Sequence, residues 1–192
     1  MKPWILALPL ILLQGCLNLN PKVQPVHFYA LKAEAASNPR LPLQPSRPQP
    51  IGVLPIQIPA YLKSNKLAFE TIPPEIQYEE YHRWAEPLPE GIARTLADNL
   101  RTLFPEGRFI TVPWRHQRPE VVIEITLQSL HMPREGTLQA QSQISILSKG
   151  KILAQNNLSF AVPIKDASPA AHVDAFSDLC AQLSEAAAQL LL

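Results

Sequence analysis

Strict two-residue alternation from Val121 to Gln128 limits this chain more than any other feature. Val121, Ile123, Ile125 and Leu127 fall on one side, and Glu124, Thr126 and Gln128 on the other. Only an extended strand with one buried face sends side chains to opposite sides at that period. After a turn from Met132 to Gly136, Leu138, Ala140, Ile144 and Ile146 alternate with Gln139, Gln141, Gln143 and Ser145. Lys149-Gly150 reads as a tight hairpin turn, and Ile152 to Val162 returns with Leu158, Phe160 and Val162 inward. The three segments predict an antiparallel meander with one wet, glutamine-rich face.

A dry face of that size needs cover, and two helical patterns supply it. Ile92, Leu96, Leu100 and Leu103 share one side of a 3.6-residue period, with Arg94, Asp98 and Arg101 off it. Pro89 near the first turn and Pro105-Glu106-Gly107 after Phe104 mark the two ends. Ser168-Pro169 is an N-cap and first-turn pair, opening a second helix almost to Leu192 with the stripe Val173, Phe176, Cys180, Leu183, Ala187 and Leu190. Phe109 to Val112 is a short strand stopped by Pro113, and Leu67 to Thr71 with Gln77 to Tyr81 form a hairpin around Pro73-Pro74. The apolar run Ile51 to Ile58 contains Pro55, which places it on an edge or bulges it there. Val26 to Leu31 adds an edge strand, Tyr29 and Leu31 sharing a face. The expected fold is α+β, a two-layer sandwich of a mixed, largely antiparallel sheet with two main helices on one face, in a single domain over residues 51–192.

Ahead of this domain the chain changes character. Lys2 is followed by ten uncharged residues, Trp4 to Leu13, and then by Gln14, Gly15 and Cys16. A positive start, an apolar core of this length and a small residue before the cut describe a signal peptide, far short of the roughly 20 apolar residues of a spanning helix. Leu13 three places before Cys16, with Gly15 beside it, reads as a lipobox, so residues 1–15 are the signal and Cys16 is the lipid-attachment residue. Residues 16–50 hold Pro21, Pro25, Pro39, Pro42, Pro45, Pro48 and Pro50, and read as a tether around the edge strand. The eight residues Asn18 to Pro25 reach at most about 29 Å.

Composition excludes several function classes. With Lys2 removed, sixteen basic side chains face sixteen acidic ones, leaving neither a basic stripe for nucleic acid nor a cationic cluster for anionic lipid. Of the two cysteines, Cys180 lies in the helical stripe and reads as a small core hydrophobe. His27, His82, His116, His131 and His172 stand far apart without metal-ligand spacing, and neither a nucleophile elbow nor a Gly-rich phosphate loop occurs. Glu79, Glu80 and Glu86 read as solvated charges, and no catalytic residue, metal or cofactor is expected. Trp84 and Trp114 flank the first helix and could line a lipid or peptide groove, though packing beside the helix is the commoner use.

Tyr29-Ala30-Leu31, then V-L-P-I-Q-I-P-A-Y-L from Val53 to Leu62, R-W-A-E-P-L from Arg83 to Leu88, and Pro113-Trp114 follow one another in this order. In this the chain resembles the ABC-type transport auxiliary lipoproteins of the paraquat-inducible protein C (PqiC) type. It departs at Lys63-Ser64, where members of that family often carry Asp-Arg. The resemblance implies an outer-membrane lipoprotein facing the periplasm, without catalytic residues, that partners MCE-domain proteins in moving phospholipid between membranes. Leu17 after the lipidated cysteine, in place of an inner-membrane retention aspartate, agrees with that sorting. It makes Tyr61, Leu62, Arg83, Trp84, Glu86, Pro87 and Trp114 structural or partner-binding positions, and homo-oligomerisation is open. The competing functions are a structural lipoprotein that assists assembly of an outer-membrane complex and, with less to support it, an envelope hydrolase. The substitution Cys16→Ala is expected to leave an unprocessed precursor without incorporated palmitate, read by gel mobility and label uptake; a variant that still matures and takes up label contradicts the lipobox.

Overall fold

The computed structural model describes residues 24–34, 49–115 and 118–192; the signal segment, Cys16 and most of the Pro-rich stretch lie outside the described residues. In chain order the elements are β1 (His27–Tyr29), β2 (Ile51–Val53), a single 3-10 turn (Ala60–Lys63), β3 (Lys66–Glu70), β4 (Ile76–Trp84), α1 (Leu88–Leu103), β5 (Phe109–Thr111), β6 (Val121–His131), β7 (Gly136–Ser148), β8 (Lys151–Ile164) and α2 (Pro169–Leu191). The fold is α+β with two helices, as the patterns predicted. Its strands divide between two sheets, one ordered β5-β2-β6-β7-β8 and a smaller one ordered β1-β4-β3.

The meander is the larger part of the five-stranded sheet. Ile125 stands opposite Ile144, and Ile144 opposite Asn156, in antiparallel register. Lys149 at φ 49° and Gly150 at φ 79° make the tight β7–β8 turn, whose twist matches that of the strands it joins. Ile123, Ile125, Leu138 and Ile144 are fully buried, while Gln139 and Gln141 are exposed. Ser145 departs from the expected wet row, being buried at 6% exposure. It lies between Glu124 and Gln155 on the flanking strands, and its hydroxyl donates to Gln155 Oε1 at 3.4 Å.

Of the two alternatives for the Pro55 run, edge or bulge, the edge is excluded and the pairing with β6 is interrupted around Pro55. β2 lies inside the sheet, parallel to both β5 and β6, so it is not an edge strand. It ends at Val53, before the residue that cannot donate to the ladder. Beyond Pro55 the chain rejoins β6, with the Gln57 N–H donating to the Ile125 carbonyl at 3.0 Å and the Leu127 N–H to the Gln57 carbonyl at 2.7 Å.

α1 packs on β2 and β5, and α2 on β7, β8 and α1. Ile92, Leu96 and Leu100 are buried as the spacing required, with Leu103 partly so. At the start of α2, the Ser168 hydroxyl accepts from the Ala171 N–H at 3.2 Å, an N-cap that satisfies one orphan donor of the first turn. The small sheet closes on another side of α2. Trp84 meets Phe176 edge-on at 5.8 Å and Phe69 meets His172 at 4.4 Å between ring centroids. The two sheets are joined where the Glu70 N–H donates to the Met132 carbonyl at 2.9 Å. Since Trp84 is buried in this contact, Trp84→Ala is expected to cost roughly 3 to 5 kcal/mol, measured as a lowered urea midpoint; unchanged stability with lost partner binding places Trp84 at an interface instead.

Candidate functional site

The motif residues near the chain's first described segment converge on one structure, a pin that holds residues 29–32 to both helices. In parallel register Tyr29 pairs with Trp84, and the Ala85 N–H donates to the Tyr29 carbonyl at 2.8 Å. Arg94, on α1, donates from Nη2 to the Leu31 carbonyl at 3.0 Å and to Glu86 Oε1 at 2.6 Å. One residue on, the Lys32 N–H donates to the Ser177 hydroxyl of α2 at 3.2 Å, while Lys32 Nζ reaches Asp174 at 3.2 Å. Glu86 can lie against the helix because Gly91 is bare there: a Cβ at Gly91 would stand 3.2 Å from Glu86 Cγ. The Glu86 carboxylate, hydrogen-bonded to Arg94, pushes the guanidinium pKa above its ordinary value.

The remaining motif residues support this corner or lie elsewhere. Leu62 is buried, and Tyr61 donates its hydroxyl to the Leu130 carbonyl at 2.7 Å; burial pushes the Tyr61 phenol pKa up. Tyr78 in turn donates to the Tyr61 carbonyl at 3.0 Å, and the Trp84 N–H to the Asn65 carbonyl at 2.7 Å. Pro87 is the N-cap residue of α1. Arg83 lies on β4, half-buried, with no acceptor for its Nε among the described residues. Trp114 is apart from this group, over β2. A Cβ at Gly52 would come within 2.7 Å of the Trp114 indole and 3.1 Å of Val122, so Gly52 is what lets the ring close on the sheet.

Chemically the arrangement holds and presents surface. Glu79, Glu80 and Glu86 are each tied to a separate cation, Arg134, Lys66 and Arg94, and form no carboxylate pair. Among the described residues no group of three or more His, Cys, Asp or Glu could hold a metal ion. Cys180 is fully buried, which pushes its thiol pKa far up and leaves it unreactive. Among the described residues, the five-stranded sheet carries shallow depressions. One of about 470 Å³ is lined by Leu54, Arg118, Val122, Glu124 and Lys149; another, of about 360 Å³, by Ser129, His131, Gln139, Gln141 and Phe160.

Sequence reasoning passed over Arg94, Ser177 and Gly52. Arg94 and Ser177 carry no local signal, because their partners are main-chain groups 63 and 145 residues away. Gly52 did carry one, a glycine inside an apolar run. The substitution Arg94→Gln is expected to cost about 1 kcal/mol and to speed hydrogen exchange at the Lys32 amide while the meander amides keep their protection; unchanged exchange at Lys32 removes Arg94 from the pin.

No curated protein matches the chain in sequence. Among solved structures, an uncharacterized protein superposes with a TM-score of 0.68 at 17% identity, covering 86% of this chain and 98% of its own. The protein XCC0632 from Xanthomonas campestris, of the DUF330 family, superposes with a TM-score of 0.69 at 15% identity, covering 86% and 95%. At these identities the likeness shows the fold alone. The sequence model of the ABC-type transport auxiliary lipoprotein component matches residues 29–188, a span that takes in the pin, both sheets and nearly all of α2. The chain therefore belongs to the ABC-type transport auxiliary lipoprotein family.

Proposed function

We propose that this protein is a non-enzymatic auxiliary lipoprotein of an MCE-type intermembrane lipid transport system, anchored in the outer membrane through Cys16 and facing the periplasm, where one domain docks the transport assembly. Membership of a transport auxiliary lipoprotein family supports the anchored, partner-bound reading, and among the described residues no helix is long and apolar enough to cross a membrane.

The observation that carries the docking role is the outer face of β7 and β8. Gln139, Gln141 and Gln143 stand opposite Ala161, Ser159 and Asn157, and Gln143 donates to Asn157 at 3.2 Å. This is polar surface without charge, cheaper to desolvate than an ionised patch. The β3–β4 hairpin adds a projecting tip at which Ile72 is 77% exposed. Homo-oligomerisation draws support from β8, which ends the sheet and carries no charged residue from Ile152 to Ile164. Between Lys151 and Pro163 this edge strand lacks the charges and prolines that usually protect against pairing with another chain.

A carboxylate placed in the glutamine row has to be desolvated on docking, so Gln141→Glu with Gln143→Glu is expected to weaken binding of the lipidated protein to the periplasmic part of an MCE protein at least about tenfold, or about 1.4 kcal/mol, with the melting temperature unchanged. Binding measured on purified components decides it. Wild-type protein that shows no association sinks the adaptor reading and favours a structural lipoprotein of outer-membrane assembly.

A further inference from the structure

Across the small sheet one register row carries Phe28 of β1, Arg83 of β4 and Lys66 of β3. Their sequence neighbours Tyr29 and Trp84 pack against the core, so alternation turns Phe28 and Arg83 to the opposite, outer side. Phe28 is 64% exposed, and Val26, one strand period earlier, is exposed as well. Lys66 is held by Glu80 at 2.5 Å. Packing among the described residues leaves the Phe28 ring in water and the half-buried Arg83 without an acceptor at its enclosed Nε, while Lys66 is engaged by Glu80.

We propose that this row rests on the bilayer surface, with Phe28 and Val26 at the headgroup level and Arg83 and Lys66 against lipid phosphates, so that the domain lies on the membrane in a fixed orientation. The proposal depends on the reading of Cys16 as lipidated. Position in the chain selects this occupant: β1 starts eleven residues after Cys16, at most about 40 Å when extended, and is followed at once by the pin to both helices. A strand so close behind an acyl anchor meets the bilayer at high effective concentration. Apolar side chains such as Phe beside Lys and Arg are the composition of surfaces that lie at membrane interfaces, where the apolar groups enter the headgroup–acyl boundary and long basic side chains reach phosphate. Two cations, one of them shared with Glu80, are too few to hold the protein by charge. The acyl chains do the holding and the row sets the orientation.

The test uses lipidated mature protein in vesicles of phosphatidylethanolamine and phosphatidylglycerol, with and without brominated acyl chains. Emission from the wild type comes from Trp84 and Trp114, and Phe28→Trp adds a reporter at the row without removing its aromatic character. The added emission is expected to be quenched by brominated lipid and shielded from aqueous iodide, and Arg83→Gln with Lys66→Gln is expected to reduce both effects in protein whose cooperative thermal unfolding shows that it remains folded. Should that double variant fail to fold, the Phe28→Trp result decides alone. Added emission that stays open to iodide and untouched by bromine, in protein that carries the acyl mass and floats with vesicles, overturns the proposal and leaves the row facing water, a protein partner or a second copy. Absence of the acyl mass, with the protein remaining in the supernatant, overturns the lipidation reading and this proposal with it.

Discussion

Burial of α2 is the constraint on which the rest of this structure depends. The helix is apolar around much of its circumference: Val173, Phe176, Leu179, Cys180, Leu183 and Ala187 are all below 5% exposure. A helix apolar on so many sides cannot be satisfied by one sheet face. The meander covers one part, α1 a second and the small sheet a third, through Trp84 on Phe176 and Phe69 on His172. The buried serine hydroxyls of α2 donate within the helix, Ser177 to the Val173 carbonyl at 2.9 Å and Ser184 to the Cys180 carbonyl at 2.7 Å. Burial without an unmet donor is what keeps such positions from being costly.

The same helix helps to fix residues 29–32. β1 adds only the three residues His27–Tyr29 to the small sheet, too few to hold this segment against fraying by backbone pairing alone. Arg94 from α1 and Ser177 from α2 take the next carbonyl and amide in turn. Under the proposed anchoring at Cys16, a pull from the membrane would enter here and be shared between two helices.

The legible parts of the sequence were those in which a period and its partners lie close together. The β6–β7–β8 meander follows from alternation, and its turn from Lys149-Gly150, because each strand pairs with its sequence neighbour and the buried faces must agree in register. The two helix stripes and the Ser168 cap were legible for the same reason. Ser145 was misassigned to the wet face because alternation reports direction and not cover; how deep a short side chain sits depends on Glu124 and Gln155 beside it. The motif residues Tyr61, Leu62, Trp84 and Glu86 were found as a list, but nothing in the list says that Trp84 and Glu86 act at one corner while Trp114 sits over Gly52.

The sequence by itself determined the α+β class, the meander, both helices and the near-zero net charge of the chain, since each rests on spacing or composition that the chain carries locally. Tertiary structure alone decided that the strands form two sheets, that β2 runs inside one of them despite Pro55, and that Leu31 and Lys32 are held by Arg94 and Ser177. Those outcomes depend on which buried surfaces close around α2. Contacts between residues 63 to 145 positions apart leave no periodicity by which to foresee them.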